Sequence, residues 1–319
     1  MNILIIGNSS LAQRRILPTL GRLSEIEEIY LASSNSSNRS KPKNQKLVKF
    51  FDSYETAFLE CKAELIYIST VNSQHEELAD KALELGRHVI VDKPAFLTLD
   101  ASRKLVKKAA NKELLLAEAT VFLDHPMYRE ISNITARLGP ITRVVSVFSM
   151  PPFPNENFRY QSSLGGGALN DLGPYAVATS RYFLQEKPRI LNCSILQSHP
   201  NTGIDLSFTL MAQYSNGKSL VGNFGFDTEY QNFIHAFGPE VSFSVERAHT
   251  PPPDRKNKIS ILSNNKPSSV SIPPADSFEL AIQSMLKAIE TRQFNHYYEL
   301  LLSDAEMLEK MRNSALANV

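Results

Sequence analysis

Cysteine is almost absent from this chain, with Cys61 and Cys193 the two copies among 319 residues. Two cysteines far apart in sequence make neither a disulfide framework nor a cysteine-based metal motif, so no metal is expected. Their scarcity points to a reducing compartment. An excess of one charge is missing as well: 34 basic side chains stand against 33 acidic ones, a net charge of +1. That balance makes no case for nucleic acid or a membrane surface as partner. No segment approaches the ~20 consecutive apolar residues that span a bilayer. The start, Met1-Asn2-Ile3, lacks the basic region and cleavage site of a signal peptide. A cytoplasmic protein is therefore expected. No internal repeat is present, and 319 residues exceed one usual core, so two domains are expected.

What is there begins with a short apolar run, Ile3 to Ile6, that reads as a buried strand. Gly7 allows a tight turn, and a helix carrying Ile16, Leu17 and Leu20 should start near Ser9 or Ser10. A strand, a glycine turn and a helix start form an anion site, because the first helical amides have no partner inside the helix. The dinucleotide fingerprint has three glycines; here Ser9 and Ala12 hold the second and third places. Ser9 is small enough for a pyrophosphate to approach, and Ala12 permits close helix–strand packing. Taken alone the motif is weak. It makes Gly7, Ser9, Ser10, Leu11 and Ala12 the candidate cofactor turn.

The next strand, Ile29 to Ala32, bears on which dinucleotide binds. An NAD site usually has an acid at this strand's end to hold the ribose 2′-hydroxyl. This chain has Ser33-Ser34-Asn35-Ser36-Ser37-Asn38-Arg39-Ser40-Lys41 instead. Hydroxyls and cations suit a 2′-phosphate, which puts NADP ahead of NAD, with Ser33, Ser34 and Arg39 as contacts. The competing reading is a solvated polar loop.

A third strand, Leu65 to Thr70, leads into Val71-Asn72-Ser73-Gln74-His75 and a helix running to Leu85. Gly86 stops that helix, and Arg87 to Val91 forms another strand ending in Asp92-Lys93-Pro94. Pro94 biases Lys93 away from helix. Lys93 is thus held at the carboxyl end of a strand, where open α/β sheets bind ligands.

Farther on stands Gly165-Gly166-Gly167-Ala168-Leu169-Asn170-Asp171-Leu172-Gly173-Pro174-Tyr175. Glycines let a backbone pass close to another group. In a helix, Asp171 and Tyr175 fall at i and i+4 on one face, a carboxylate beside a phenol able to act as general acid. A cap and a packing residue would look the same. Pro174 implies either a late helix start or a kink. Arg159 stands just before the glycines and is either a substrate contact or a loop arginine. The second half then alternates with period two around Leu206–Tyr214, followed by Asn216-Gly217, the strongest short hairpin signal. Further strands are expected over 141–150, 219–224, 232–236 and 241–245, and helices over 277–291 and 297–312. The fold class is α/β: an N-terminal Rossmann-type parallel sheet and a C-terminal α+β domain on an open, mostly antiparallel sheet.

Together the nucleotide turn, Thr70-Val71-Asn72-Ser73-Gln74-His75, Asp92-Lys93-Pro94, Ala117-Glu118-Ala119, His125-Pro126 and the Gly-Gly-Gly…Asp…Tyr segment resemble one family over nearly the whole chain. That family is the glucose–fructose oxidoreductase/inositol dehydrogenase superfamily, Gfo/Idh/MocA. Glu-Lys-Pro is typical there, so Asp92 is a departure. The resemblance implies a dinucleotide-binding domain over 1–120 and a substrate and oligomerisation domain over 121–319. It implies that Lys93 polarises the substrate oxygen and assists proton transfer, with Asp171 and Tyr175 as its partners. Thr70, Asn72 and His75 would line the cofactor, and Glu118 would join the substrate site, where Arg159 is the further candidate from its place before the glycines. Tyrosine at the place where many members have histidine resembles the dihydrodiol dehydrogenases and the sugar 3-ketoreductases. The implied activity is NAD(P)-dependent hydride transfer to or from a carbohydrate-like alcohol or ketone, free or nucleotide-linked. A trans-dihydrodiol dehydrogenase and a non-catalytic nucleotide-binding protein are the alternatives. Members commonly form homodimers or homotetramers through the open sheet.

Overall fold

The computed structural model describes residues 1–34 and 44–317. Arg39 and Lys41 lie outside the described residues. The chain forms two compact units, Met1–Ala119 with Phe278–Ala305, and Thr120–Ser277 with Glu306–Val319.

The first unit is built on a six-stranded parallel sheet. Its strands are β1 (Ile3–Ile6), β2 (Ile29–Ala32), β3 (Leu47–Phe51), β4 (Leu65–Ile68), β5 (His88–Val91) and β6 (Leu116–Glu118), in the order β3-β2-β1-β4-β5-β6. Every residue of β1 and β4 is buried. Burial on both faces is why these strands read as unbroken apolar runs. After β1, helical turns begin at Ser10 and pass through a π-helical stretch, Ala12–Ile16, into α1 (Leu17–Arg22). Ile16, Leu17 and Leu20 are buried, as their spacing requires. The remaining early helices are α2 (Tyr54–Glu60), α3 (His75–Glu84) and α4 (Leu99–Asn111). Two C-terminal helices follow the second unit in sequence, α7 (Ser277–Thr291) and α8 (Asn295–Ala317). Their first-unit residues close on it through Tyr298, whose hydroxyl donates to the Leu114 carbonyl at 2.5 Å, and through Glu279, 2.8 Å from Arg22.

The second unit carries α5 (Pro126–Leu138), α6 (Ala168–Leu184) and eight strands. These are β7 (Arg143–Ser149), β8 (Ile190–Ser198), β9 (Asp205–Gln213), β10 (Ser219–Gly225), β11 (Gln231–Phe237), β12 (Val241–Glu246), β13 (Asn257–Ser263) and β14 (Lys266–Ile272). The order is β14-β13-β12-β11-β7-β10-β9-β8, with β7–β10 parallel and the other neighbours antiparallel. The expected hairpin joins β9 to β10, with Asn216 at φ 54° and Gly217 at φ 73°. On one face α6 packs across β7, β9 and β10. On the strands' other face Met211, Val221 and Phe237 are each about two-fifths exposed.

The sequence leaves open a late start that places Pro174 in the first turns, or a kink there; α6 is unbroken across Pro174, which sits in its second turn. It begins at Ala168 and continues through Pro174 to Leu184. Three interactions hold its first turns. The Asp205 carboxylate accepts the Leu169 amide at 2.5 Å. Asn170 donates to the Gly166 carbonyl at 2.9 Å, and its side-chain oxygen accepts from Arg312 at 3.1 and 3.2 Å. Pro174 removes the bond its own amide would have given to the turn before it. That turn is held from outside the helix, so it stays helical. An acceptor at a helix start is worth about 1–2 kcal/mol. Asp205→Ala is expected to lower the unfolding free energy by that amount in urea titration; an unchanged midpoint would show the cap to be dispensable.

Candidate active site

The turn after β1 sits where strand order reverses, between β1 and β4. Such switch points are the ligand sites of open α/β sheets. Gly7 has φ +102°, and a Cβ there would collide with the Ser69 carbonyl. Ser9 Oγ accepts the Ala12 amide at 2.9 Å, capping the helix, and lies 2.7 Å from Ser69 Oγ. Ser69 in turn donates to one oxygen of Asp92 at 2.5 Å, and the Tyr67 hydroxyl donates to the other at 2.7 Å. The Ser69 hydrogen is thus engaged, so the Ser9 hydroxyl donates to Ser69. A directed chain runs from Ser9 through Ser69 to Asp92. Ser9 therefore shapes the turn through its cap, and its hydroxyl hydrogen points at Ser69. The open groups of the turn are the amides of Ser10 and Leu11, for which no acceptor is found among the described residues. Ala12 is fully buried, as close helix–strand packing requires. Open amides beside a residue without a side chain fit the pyrophosphate of a dinucleotide. At the end of β2, Ser33 is buried with its amide on the Phe51 carbonyl at 3.0 Å, and Ser34 is exposed.

Lys93 follows β5 and is half-buried, with a cis peptide bond to Pro94. His75 is wholly buried beside this turn, Nδ1 2.9 Å from the Pro94 carbonyl and Nε2 3.3 Å from the Thr70 carbonyl. Burial pushes its imidazole below the ordinary value. A neutral ring has one N–H, and the shorter contact assigns it to Nδ1. Glu118 accepts the Ala95 amide at 2.8 Å. His75 and Glu118 thus brace the backbone on either side of the Pro94–Ala95 peptide. Asn72 is buried and Thr70 half-buried in the turn before α3. Loss of hydration pushes the Asp92 carboxyl up, while the Ser69 and Tyr67 hydroxyls pull it back. Tyr67 and Ser69 escaped the sequence reading, although both lie at the carboxyl end of the strand next to Lys93.

In the second unit one continuous helix carries Asp171 and Tyr175. Asp171 is buried, and its carboxylate takes the Arg159 Nε–H at 2.8 Å. The Arg159 guanidinium lies 4.7 Å from the centre of the Phe153 ring and 4.8 Å from that of Phe158. Arg159 is therefore the partner of Asp171, placed by packing. Tyr175 is half-buried in an aromatic box, its ring 5.0 Å from Phe148, 5.6 Å from Phe122 and 5.6 Å from His249. His249 stacks on Phe148 at 5.5 Å with 3° between the planes. Its Nδ1 donates to Asn232 at 3.0 Å, and its Nε2 accepts from Ser146 at 3.0 Å. Burial pushes this imidazole down to about 3, so every wall of the box is uncharged near neutral pH. His249 lay outside the sequence reading. It belongs to no periodic pattern, and its partners come from β7 and β11. His125 caps α5 through the Met127 amide at 3.2 Å, and burial pushes it to about 4. Among the described residues no group of three or more His, Cys, Asp or Glu is placed to hold a metal. None of the described helices is long and apolar enough to cross a membrane.

A buried neutral histidine makes stability depend on pH. The unfolded chain takes up a proton at His249 below about pH 6.5, and the folded protein does not until about pH 3. Its contribution is complete above 6.5 and is lost as pH falls. Wild type is expected to lose stability relative to His249→Gln by about 1.4 kcal/mol per pH unit between pH 6 and 4. Parallel pH profiles of unfolding free energy would contradict a neutral His249.

Residues 1–120 match an oxidoreductase family with an NAD-binding Rossmann fold, and residues 134–244 match a GFO/IDH/MocA C-terminal domain. The chain is 28% identical over 292 residues to a dTDP-3,4-didehydro-2,6-dideoxy-alpha-D-glucose 3-reductase of Saccharopolyspora spinosa, covering 89% of this chain and 86% of that protein. It is 23% identical to a trans-1,2-dihydrobenzene-1,2-diol dehydrogenase of Xenopus tropicalis, over 86% of this chain and 83% of the other. In fold it is similar to a 3-ketoreductase from Actinomadura kijaniata crystallised with NADP and TDP-benzene, with a TM-score of 0.93, 23% identity, and coverage of 99% and 98% of the two chains. With models of both family domains matched, over residues 1–120 and 134–244, the chain belongs to the Gfo/Idh/MocA oxidoreductase family.

Proposed function

We propose that this protein is an NADP-dependent reductase of a nucleotide-linked keto-sugar, with Lys93, Asp171 and Tyr175 as its catalytic residues. As a member of its family the chain is an oxidoreductase that uses a nicotinamide dinucleotide. The observation that carries the finer reading is Tyr175. It is a phenol held in an uncharged aromatic box one helical turn from a carboxylate already engaged by Arg159. The similarity to a dTDP-keto-sugar 3-reductase over most of both chains supports the substrate class.

Residues 1–120 form the dinucleotide-binding domain in this reading. The amides of Ser10 and Leu11 hold the pyrophosphate, and Ser33 and Ser34 stand at the ribose end. Thr70, Asn72 and His75 shape the wall near the nicotinamide. The bound cofactor supplies the hydride. Lys93 holds the carbonyl oxygen, and Tyr175 gives that oxygen a proton from its hydroxyl. The cationic Lys93 also favours the phenolate that remains. Asp171 and Arg159 orient a sugar hydroxyl, and Glu118 keeps the Lys93 turn in place. Residues 121–319 serve substrate binding and assembly. A second copy of the chain covers the exposed sheet face around Met211, Val221 and Phe237, in a homodimer or homotetramer. The enzyme works in the cytoplasm, where two buried cysteines stay reduced.

Lys93→Met and Tyr175→Phe are each expected to lower turnover of a TDP-keto-sugar roughly 10²–10⁴-fold, the usual worth of a general acid–base group. Residues acting as one unit lose activity non-additively, so the double variant should be little worse than either single one. Tyr175→Phe with near-normal turnover would leave Tyr175 a packing residue.

The cofactor assignment has its own measurement. Titration followed by NADPH fluorescence should give a lower dissociation constant for NADPH than for NADH. Ser9→Asp, which sets a charge beside the pyrophosphate and removes the hydroxyl hydrogen given to Ser69, should weaken both. Equal or NADH-favouring affinity overturns the preference, and intact binding in Ser9→Asp overturns the placement.

A further inference from the structure

The aromatic box around Tyr175 continues toward the surface. Ser149, at the end of β7, pairs with Gln231, at the start of β11. Tyr230, immediately before Gln231, is exposed, and its ring lies 6.4 Å from that of Phe148, a wall of the Tyr175 box. Arg247 follows the end of β12, two residues before His249, and is also exposed. Its guanidinium carbon sits 4.5 Å from the centre of the Tyr230 ring, and Nη1 donates to the Tyr230 hydroxyl at 3.3 Å. That hydroxyl also accepts from Asn232 at 3.1 Å, and Asn232 accepts from the His249 ring. The Tyr230–Arg247 pair is thus tied to the residues that hold the box.

Two features of Arg247 bear on its role. Its backbone is left-handed, with φ 53°, and its amide donates to the Asn232 carbonyl at 2.6 Å. Such a conformation is strained for a residue with a Cβ, and it is retained here at a solvent-exposed position. Arg247 also pairs with no carboxylate among the described residues; Glu229 and Glu246, its acidic neighbours in sequence and sheet, form no ion pair with it. Arg159, the other arginine of this region, is neutralised by Asp171. Arg247 therefore presents an uncompensated, planar donor whose direction is fixed by the ring beneath it. A guanidinium fork of this kind matches phosphate oxygens.

We propose that Arg247, seated on Tyr230, binds the diphosphate of the substrate while the sugar lies against Tyr175. The inference rests on the reading of a nucleotide-linked keto-sugar as substrate. In such a molecule the diphosphate is separated from a ring carbonyl by the sugar itself. That matches a cation set beyond two aromatic rings, Phe148 and Tyr230, from the Tyr175 phenol.

The test uses the NADPH-loaded enzyme with TDP and UDP as probes, by calorimetry, and with a TDP-keto-sugar and the same keto-sugar without its nucleotide, by steady-state kinetics. Arg247→Ala should weaken the nucleoside diphosphate about 10–100-fold, the worth of a charge-assisted hydrogen bond. It should raise KM for the TDP-keto-sugar by a similar factor and leave kcat/KM for the free keto-sugar unchanged. Arg247→Asn, which tolerates the left-handed backbone, should behave like Arg247→Ala and separates lost charge from altered folding. If TDP binds wild type and both variants equally well, Arg247 is not the diphosphate contact and the substrate reading still stands. If neither TDP nor UDP binds wild type, the substrate reading fails and this assignment falls with it.

Discussion

The site in the second unit depends on one close approach between two stretches of backbone. The Gly166 and Gly167 amides donate to the Gln161 and Arg159 carbonyls at 3.0 and 2.9 Å. A Cβ on Gly166 would strike the Phe158 and Arg159 carbonyls, and one on Gly167 would strike the Asp205 carboxylate. With no side chains in the way, the 158–161 turn lies directly on the start of α6. That contact brings Arg159 to Asp171, twelve residues along the chain but one helical turn away in space. It also lets Asp205 reach the first amides of α6. The helix then starts on time, and Tyr175 follows Asp171 on the same face despite Pro174.

Both units meet the same demand by different means. A polar group removed from water is costly unless it is paired. In the first unit Asp92 receives two hydroxyls, and one of them extends through Ser69 to Ser9 at the helix cap. The geometry of the Gly7 turn is thereby fixed by a residue adjacent to Lys93. The shorter aspartate, in the place where the family usually has glutamate, is held at both oxygens by residues of the neighbouring β4 segment. In the second unit Arg159 and Asp171 compensate each other, and His249 stays neutral with a partner on each ring nitrogen. Tyr175 is surrounded by rings that carry no charge.

The rim of this box carries the contrast between two arginines. Arg159 is turned inward, between two phenylalanine rings and a buried carboxylate. Arg247 is turned outward on a tyrosine, with no acid to neutralise it among the described residues. One is engaged by a buried carboxylate, and the other has none as partner among the described residues. Composition would count them alike.

Local pattern determined a good deal of this protein. β1, β4 and β5 were legible because strands buried on both faces leave unbroken apolar runs. Gly7 and Asn216-Gly217 were legible because few residues accept positive φ. The spacing of Asp171 and Tyr175 was legible because a helix repeats every 3.6 residues. β3, β6, β8 and β14 were not read, since edge strands keep little alternation, as in the Lys266–Ile272 strand with its mostly exposed residues; β13 was missed although its burial alternates. The fate of Pro174 could not be read either. It turned on Asp205 and Arg312, which reach α6 from 36 and 142 residues away. The partner of Arg159, the neutral state of His249 and the chain from Ser9 to Asp92 were likewise decided only by the fold. Each depends on which side chains meet after strands distant in sequence pair, and on how much water their meeting removes. Sequence fixes the chemistry that a residue can offer; burial and neighbours decide which part of it is used.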